Sequence, residues 1–492
     1  MNHARLCAAR FGLSFSLLLV GCTVGPNYRR PAAPVPAKWD VTEPWRESAP
    51  KDAVPKGDWW SAFHDDELSA LEKQALDANQ TIKASAAHLE QARASAALQI
   101  ATQFPSLSTA PQAERQRLSG NRPPSSTVPV TSAVSQNSYT LPFTVAYEVD
   151  LFGRRRRSIE AAQASYQASA ADLENVRLVI TAELAGDYFT LRQLDAELGI
   201  LNRTVDTLQK GLQLVDSRHK GGVASGLDVA QEETLLDTTR TQAILLQQQR
   251  KQVEDAMAVL VGKPAPDFHF LSKEWKAEPP PLDAGLPSDL LERRPDIAEA
   301  ERQMAIANAQ IGIAKAAYYP SLNLFGTGGW QSADIAKLLN VQSTFWAVGA
   351  NVAESIFTGG SRRAQMQFAQ SGFDASVASY REAVLNAFGE VQDDVTGLTV
   401  LEQADHSQQQ AVDAARRTLD IATSRYVGGL VSYLDVVNAQ QNLLNNEQQL
   451  AVIQGQRMVT SVLLIKALGG GWDASSLAAV QVKSKLKDVV AP

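Results

Sequence analysis

Ser217-Arg-His-Lys-Gly-Gly-Val-Ala-Ser-Gly-Leu-Asp-Val229 returns 207 positions later as Ser424-Arg-Tyr-Val-Gly-Gly-Leu-Val-Ser-Tyr-Leu-Asp-Val436, with eight of the thirteen positions identical. The same offset relates Arg250 to Arg457, Gly262 to Gly469, Gln163 to Gln370, Ala168 to Ala375, Glu183 to Glu390 and Asp187 to Asp394. At a slightly different offset, Phe104-Pro-Ser-Leu107 returns as Tyr319-Pro-Ser-Leu322. Self-similarity at a fixed spacing marks a fold built twice from one unit. The expectation is an internal tandem duplication, with a first repeat over 65–275 and a second over 285–472.

Around the echo the pattern is helical. Leu198, Leu201, Val205, Leu208, Leu212 and Val215 are spaced three and four apart in turn, as in a coiled coil. The returning segment keeps such a stripe through Val229, Leu236, Ala243, Leu246, Val253, Met257 and Leu260. A helix from about 155 to 215 is roughly 90 Å long at 1.5 Å per residue, so the body is an elongated rod or tube. The echoing glycine pairs, Gly221-Gly222 and Gly428-Gly429, then mark hairpin tips at 219–227 and 426–434, because glycine reaches positive φ without penalty. No Gly-Lys-Ser/Thr follows either pair, which excludes a phosphate loop. Alanine-dense stretches at about 66–102 and 296–317 predict a further helix in each repeat.

Between these helices the period changes to two. Tyr139, Leu141, Phe143, Val145, Tyr147, Val149 and Leu151 lie on one face of a predicted strand, with Thr140, Thr144, Glu148 and Asp150 on the other. Its length suits the roughly 9–11 residues of a tilted membrane strand, and its polar face suits a water-filled lumen. Strands are expected at about 105–118 and 139–151 in the first repeat, and at about 321–330 and 345–356 in the second. Glu354 falls where the first repeat has an outward Val149. Four strands cannot close a pore, whereas three chains supply an even-numbered twelve. A soluble sandwich is the alternative.

The N-terminus reads as an export signal over 1–21. Arg5 and Arg10 form its basic part, and Phe11 to Val20 form an apolar run too short to span a bilayer. It ends Leu19-Val20-Gly21-Cys22, which resembles the lipobox of bacterial lipoproteins; an ordinary secretory signal is the alternative. The resemblance implies diacylglycerol and an N-acyl chain at Cys22. Thr23, where an aspartate would retain a lipoprotein at the inner membrane, points to the outer membrane of a Gram-negative cell. Cys7 leaves with the signal, so an acylated Cys22 leaves no thiol for a disulfide. Losing Arg5 and Arg10 takes 46 basic residues to 44 against 53 acidic ones, a net charge of −9 that argues against nucleic acid as a partner. Residues 22–64 read as a proline-rich strap and 473–492 as a tail. No later apolar run approaches a membrane helix.

Lipobox, paired strands, paired long hairpins and duplicated tips together resemble the TolC-like outer-membrane efflux proteins, in particular the lipoprotein (NodT-type) branch serving resistance-nodulation-division pumps. The residues that carry the resemblance are Gly25-Pro-Asn-Tyr-Arg-Arg-Pro31, Trp59-Trp60 with Phe63 and Asp65, Glu292-Arg-Arg-Pro-Asp-Ile297, Tyr318-Tyr-Pro-Ser-Leu322 and Lys466-Ala-Leu-Gly-Gly-Gly-Trp472. It implies a homotrimer with a 12-stranded β-barrel in the outer membrane, four strands per chain, continued by a long periplasmic α-helical barrel. It also implies a periplasmic adaptor (membrane fusion protein) docking on the tips, at Gly221, Gly222, Val223, Gly428, Gly429 and Leu430. An inner-membrane transporter supplies the energy and the channel conducts passively. A protein-secretion channel and a non-channel coiled-coil envelope lipoprotein are the alternatives.

Asp228 and Asp435 each stand three residues after a serine, the pattern of a capping box. By resemblance Asp435 also faces the pore at the closed periplasmic aperture. Asn438 stands one turn on, Leu434 matches an apolar constriction and Tyr426 a tyrosine that holds the inner helices shut. Val431 and the neutral Asn438 depart from the family's ionic closure, which points to a gate closed by packing. Arg154 to Arg157 and Arg362-Arg363 read either as a solvated helix face or as contacts to phospholipid headgroups. His64, His88, His219, His269 and His406 show no metal-ligand spacing, and no catalytic constellation is present, so neither a metal, a cofactor beyond the lipid, nor an enzyme is expected. Five methionines form no track that points to copper.

Overall fold

The computed structural model describes residues 23–36, 58–121, 133–273, 278–281 and 290–482. The predicted export signal with Cys22, most of the loop expected at 120–137, and parts of the strap and tail lie outside them.

Each half of the chain places a helical segment, strands, a very long helix and a shorter return helix in that order. The first half has α1 (Asp66–Ala78), α2 (Gln80–Ala101), β1 (Ser106–Thr109), β2 (Gln112–Leu118), β3 (Val134–Val149), α3 (Arg154–Lys220) and α4 (Gly226–Leu260). The second has α5 (Pro295–Ala316), β4 (Ser321–Ser332), β5 (Thr344–Ala353), α6 (Ser361–Val427) and α7 (Tyr433–Ala467). The long helices α3 and α6 have 67 residues each, and the return helices α4 and α7 have 35 each. At 1.5 Å per residue each long helix extends about 100 Å. Among the described residues no helix is long and apolar enough to cross a membrane.

The alanine-rich stretch at 66–102 is two helices rather than one. Asn79 ends α1 and starts α2, its side-chain oxygen accepting from the Thr81 and Ile82 amides at 2.8 and 3.1 Å. Its amide nitrogen donates to the Leu260 carbonyl at 2.9 Å, tying the break to the end of α4. That anchorage makes the break a fixed corner.

The strands form one antiparallel sheet in the order β1/β2–β3–β4–β5. The strand expected at 105–118 is divided, yet its register on β3 runs unbroken from Ser106↔Ala146 to Leu118↔Val134. Pro111 and Pro142 lie at the division, and neither has an N–H to donate to the ladder. The strand predicted from 139 begins earlier, at Val134, and ends at Val149. β4 runs on to Ser332, and β5 stops at Ala353, so Glu354 lies beyond the ladder and imposes nothing on its register.

Alternation now separates two chemistries across the sheet. Leu107, Val145, Gly326 and Val348 align on one face, as do Phe143, Gly328 and Trp346, and Val149, Leu322 and Val352. Trp346 is 78% exposed in the single protomer. The opposite face aligns Thr144 with Thr327 and Glu148 with Asn323 and Asn351, and the two threonine hydroxyls meet at 3.2 Å. β1/β2 and β5 both present free edges.

The largest core lies where the short helices meet the middle of α3. Trp59, Leu68, Leu184, Tyr188, Met257 and Met458 are buried together there. A second core joins Ile297 and Met304 of α5 to Tyr380, Val384 and Val391 of α6 and Leu464 of α7. Helix α7 thus contributes to both cores.

Candidate pore gate, hairpin tips and anchor site

At the first tip α3 gives way to α4 across Gly221–Ser225, and at the second α6 gives way to α7 across Gly428–Ser432. Only the second glycine of each pair takes positive φ: Gly222 is at +75° and Gly429 at +73°. Gly221 and Gly428 end their helices at φ of −81° and −76°, conformations open to any residue. The expectation that both glycines of each pair serve the turn is corrected to one.

Both serine–aspartate boxes form. Ser225 N–H donates to Asp228 Oδ2 at 3.1 Å, and Asp228 N–H donates to Ser225 Oγ at 3.2 Å. At the second tip Asp435 Oδ2 accepts from the Ser432 N–H at 3.1 Å and from its hydroxyl at 2.9 Å. Each carboxylate also meets the positive end of its helix dipole.

The four predicted gate residues divide into two groups. Leu434, 47% exposed, Asp435 and Asn438 share the face of α7 that the protomer leaves open. Tyr426 is turned inward and buried, with Val215, Tyr433 and Val436. Its ring lies 4.8 Å from that of Tyr433 and beneath the Arg218 guanidinium at 4.9 Å. Burial raises the phenol pKa of both tyrosines. Tyr433, Arg218 and the buried Glu232 were not foreseen. Tyr433 was legible only as a place where the echo fails, since the first repeat has Gly226 there. Val223 and Leu430 cap the two turns at 70% and 72% exposed.

The strap explains its own motif. Val24 N–H donates to the Phe152 carbonyl at 3.1 Å, and Gly153, at φ +82°, leaves room for Thr23, which a Cβ there would overlap. Gly25 lies against Gly312 of α5 with no space for a side chain on either. Arg157, almost fully buried, donates to the Gly25 carbonyl at 3.2 Å and Asn27 Oδ1 at 2.9 Å and pairs with Glu160 at 2.7 Å. Tyr28 and Arg30 reach Glu301 and Tyr380. Residue 23 is therefore held where β3 passes into α3, below the rim of the sheet.

The basic run at that junction is paired within the protomer. Arg154 and Arg155 pair with Glu148 at 2.6 and 3.2 Å, and Arg156 with Asp150 at 3.2 Å. Asp150 also accepts from the Arg155 and Arg156 amides, capping α3 and offsetting the adverse dipole. Arg362 stacks on Tyr318 at 5.8 Å.

The remaining motifs meet one another in space. Arg294, of the Glu292–Ile297 motif, pairs with Asp296 at 2.7 Å and Glu390 at 2.6 Å and donates to the Ala467 carbonyl at 3.1 Å. Gly470, of the Lys466–Trp472 motif, packs on Leu178 and Trp59. Among the described residues no cluster of His, Cys, Asp and Glu could hold a metal ion.

An amphipathic sheet with open edges is thus continued by helical hairpins whose long arms extend about 100 Å. The sequence matches the outer membrane efflux protein family over residues 71–263 and 286–470, and the chain belongs to that family. It is 32% identical over 469 residues to the probable efflux pump outer membrane protein SepC of Pseudomonas putida, covering 94% of this chain and 96% of that one. It is 32% identical over 470 residues to the pyoverdine export outer membrane protein OpmQ of Pseudomonas aeruginosa, with the same coverage of 94% and 96%. Among solved structures, a membrane protein from Pseudomonas aeruginosa matches with a TM-score of 0.84 at 29% identity, over 93% of this chain and all of that one. The outer-membrane channel OprN matches with a TM-score of 0.83 at 28% identity, over 92% of this chain and all of that one. The protein is an outer-membrane channel component of an efflux pump.

Proposed function

We propose that three copies of this chain close one 12-stranded barrel in the outer membrane, and that their hairpins form a continuous α-helical tube through the periplasm. The observation that carries this reading is the sheet. It has two free edges and one apolar face exposed, through Trp346 and Val348. Edges of this kind demand a partner strand, and a closed barrel removes them. The apolar face then meets lipid while Thr144, Thr327 and Asn323 line the lumen. The equal lengths of α3 and α6 and of α4 and α7 support a tandem duplication over 65–275 and 285–472, so that each chain supplies two equivalent staves to the tube.

In this assembly the cargo is a small molecule delivered by an inner-membrane resistance-nodulation-division transporter and a periplasmic adaptor. The adaptor docks on the tips at Gly221, Gly222, Val223, Gly428, Gly429 and Leu430, where Val223 and Leu430 offer unpartnered apolar side chains. Leu434, Asp435 and Asn438 converge on the three-fold axis and form the closed mouth, Leu434 by bulk and Asp435 by a ring of like charge. Tyr426 holds the mouth shut from behind. The channel hydrolyses nothing. Cys22 carries diacylglycerol and an N-acyl chain, and the seat of Thr23 at the sheet rim supports insertion of those chains into the inner leaflet.

Cysteine accessibility in intact outer membranes tests the barrel. Cysteines at 141, 143 and 145 resist a water-soluble thiol reagent, and those at 140 and 144 react. Equal reactivity of the two faces refutes the barrel, and a mass other than three chains for the extracted protein refutes the trimer.

A further inference from the structure

Behind the gate sits a buried carboxyl that the reading above leaves unused. Glu232 lies on α4 one turn after Asp228 and is fully buried. A Cβ on Gly211 of α3 would collide with its Oε1 and come within 3.5 Å of the Tyr433 hydroxyl, so the glycine supplies the space that the carboxyl fills. Burial raises the pKa of this carboxyl, and the Tyr433 hydroxyl of α7 shares the space over Gly211 with it. Neither carboxyl oxygen has a hydrogen bond of full geometry. A buried carboxyl is costly unless it is bonded, so a site that keeps an unbonded one gives up stability to do so.

The contact also breaks the repeat. At the 207-residue offset Glu232 corresponds to Ala439, Gly211 to Thr418 and Tyr433 to Gly226. Neither hairpin can therefore make this contact twice, and it falls where the first hairpin meets the return helix of the second. On α7, Tyr433, Val436 and Gln440 share one side of the helix. Leu434, Asp435 and Asn438 share the other, as their spacing at 3.6 residues per turn requires.

We propose that Glu232 is a positioning residue for the gate: seated over Gly211, its carboxyl packs beside the Tyr433 hydroxyl and holds the first turns of α7 against the first hairpin, keeping Leu434, Asp435 and Asn438 at the aperture. The proposal rests on the gate reading given above. It makes the contact between hairpins the element that yields when the mouth opens, because α7 leaves the axis only by drawing Tyr433 off Glu232.

Single-channel recording of the purified full-length protein in planar bilayers tests it. Glu232→Ala and Tyr433→Phe each raise conductance several-fold, and the double variant raises it no further than either alone. Gly211→Ala, which pushes the carboxyl off its seat, behaves like Glu232→Ala, while Glu232→Gln, which keeps the shape and an acceptor, stays near native. If Glu232→Ala conducts as native while Leu434→Ala conducts more, the latch is refuted and the gate stands. If neither changes conductance, the gate reading fails and the latch with it. A Glu232→Ala protein that melts earlier but conducts normally reduces the residue to a fold contact and also refutes the proposal. Should that variant fail to assemble, Tyr433→Phe and Gly211→Ala carry the same test.

Discussion

Tyr426, in the last turn of α6, and Tyr433, the first residue of α7, hold their rings 4.8 Å apart across the turn that contains Gly428 and Gly429. The tilted ring contact pins the two ends of the second hairpin to each other, and the Arg218 guanidinium of the first hairpin lies over the Tyr426 ring at 4.9 Å. The first tip has no such pair: its positions are His219, whose ring Nδ1 lies 2.9 Å from the Ala224 carbonyl oxygen, and Gly226. Tyr426→Ala should therefore increase amide hydrogen exchange across 424–436 while leaving the core around Tyr188 protected. His219→Ala should change exchange at the first tip less. Equal effects would show that the ring contact adds nothing to the capping boxes.

Asp228 and Asp435 occupy equivalent boxes, so a cap alone predicts equal consequences. Each alanine variant should lose about 0.3–1 kcal/mol of local stability. If Asp435 also rings the pore, Asp435→Ala alone lowers cation selectivity and divalent block in planar bilayers. Identical behaviour of the two variants would leave only the cap.

Burial, with Glu390 one turn earlier and Asp393 beside it, raises the Asp394 carboxyl to about 7, against the opposing charge of Lys466. Burial and Glu183 raise Asp187 to about 6. Both values lie above the ordinary 3.8, so the protonated forms favour the fold. Their contribution is fully present below about pH 4 and is lost as pH rises through 6 and 7. Asp394→Asn should raise the thermal midpoint at pH 8 and confer no advantage at pH 4. A constant difference across that range would show that the carboxyl does not titrate there.

Arg192 is buried under Phe270 and pairs with Glu67 at 2.7 Å and Asp195 at 3.2 Å. Arg250 reaches the same Asp195 at 2.7 Å, and the carbonyls of Phe270 and Leu271 accept from the two arginines. The network fastens the chain leaving α4 to the middle of α3. Arg192→Ala leaves Asp195 buried with one partner fewer and should cost about 3–5 kcal/mol. A denaturation midpoint within error of native would contradict this.

At the anchor, Cys22→Ala should abolish incorporation of labelled fatty acid. Arg157→Ala removes the bonds to Gly25 and Asn27 and should expose the strap to protease without reducing the label. Loss of label in the arginine variant would mean that docking of the strap precedes acylation.

Much of this architecture is legible in periodicity, which is a local property. The three-four spacing around Leu208 announces a long helix, and strict alternation through Phe143 announces a strand with one apolar face, whatever either packs against. Repetition adds the hairpins, since Gly222 and Gly429 recur at the one position of each turn where positive φ is required. Strand bounds were less legible, because Pro111 and Pro142 interrupt a ladder whose register nevertheless continues past them.

The sequence by itself determined the repeat, the element types, the two faces of the sheet, the capping boxes and the family. Tertiary structure alone decided which charges are neutralised and which are buried. Arg157 reads as part of a basic patch until folding buries it and brings Gly25 and Asn27 to it, the latter from 130 residues away. Glu232 reads as one more acid on a helix until packing over Gly211, beside Tyr433, buries it. Periodicity arises from neighbours along the chain and can be read there. Burial and partnership arise from residues far apart in it, and they exist only once the hairpins have packed together.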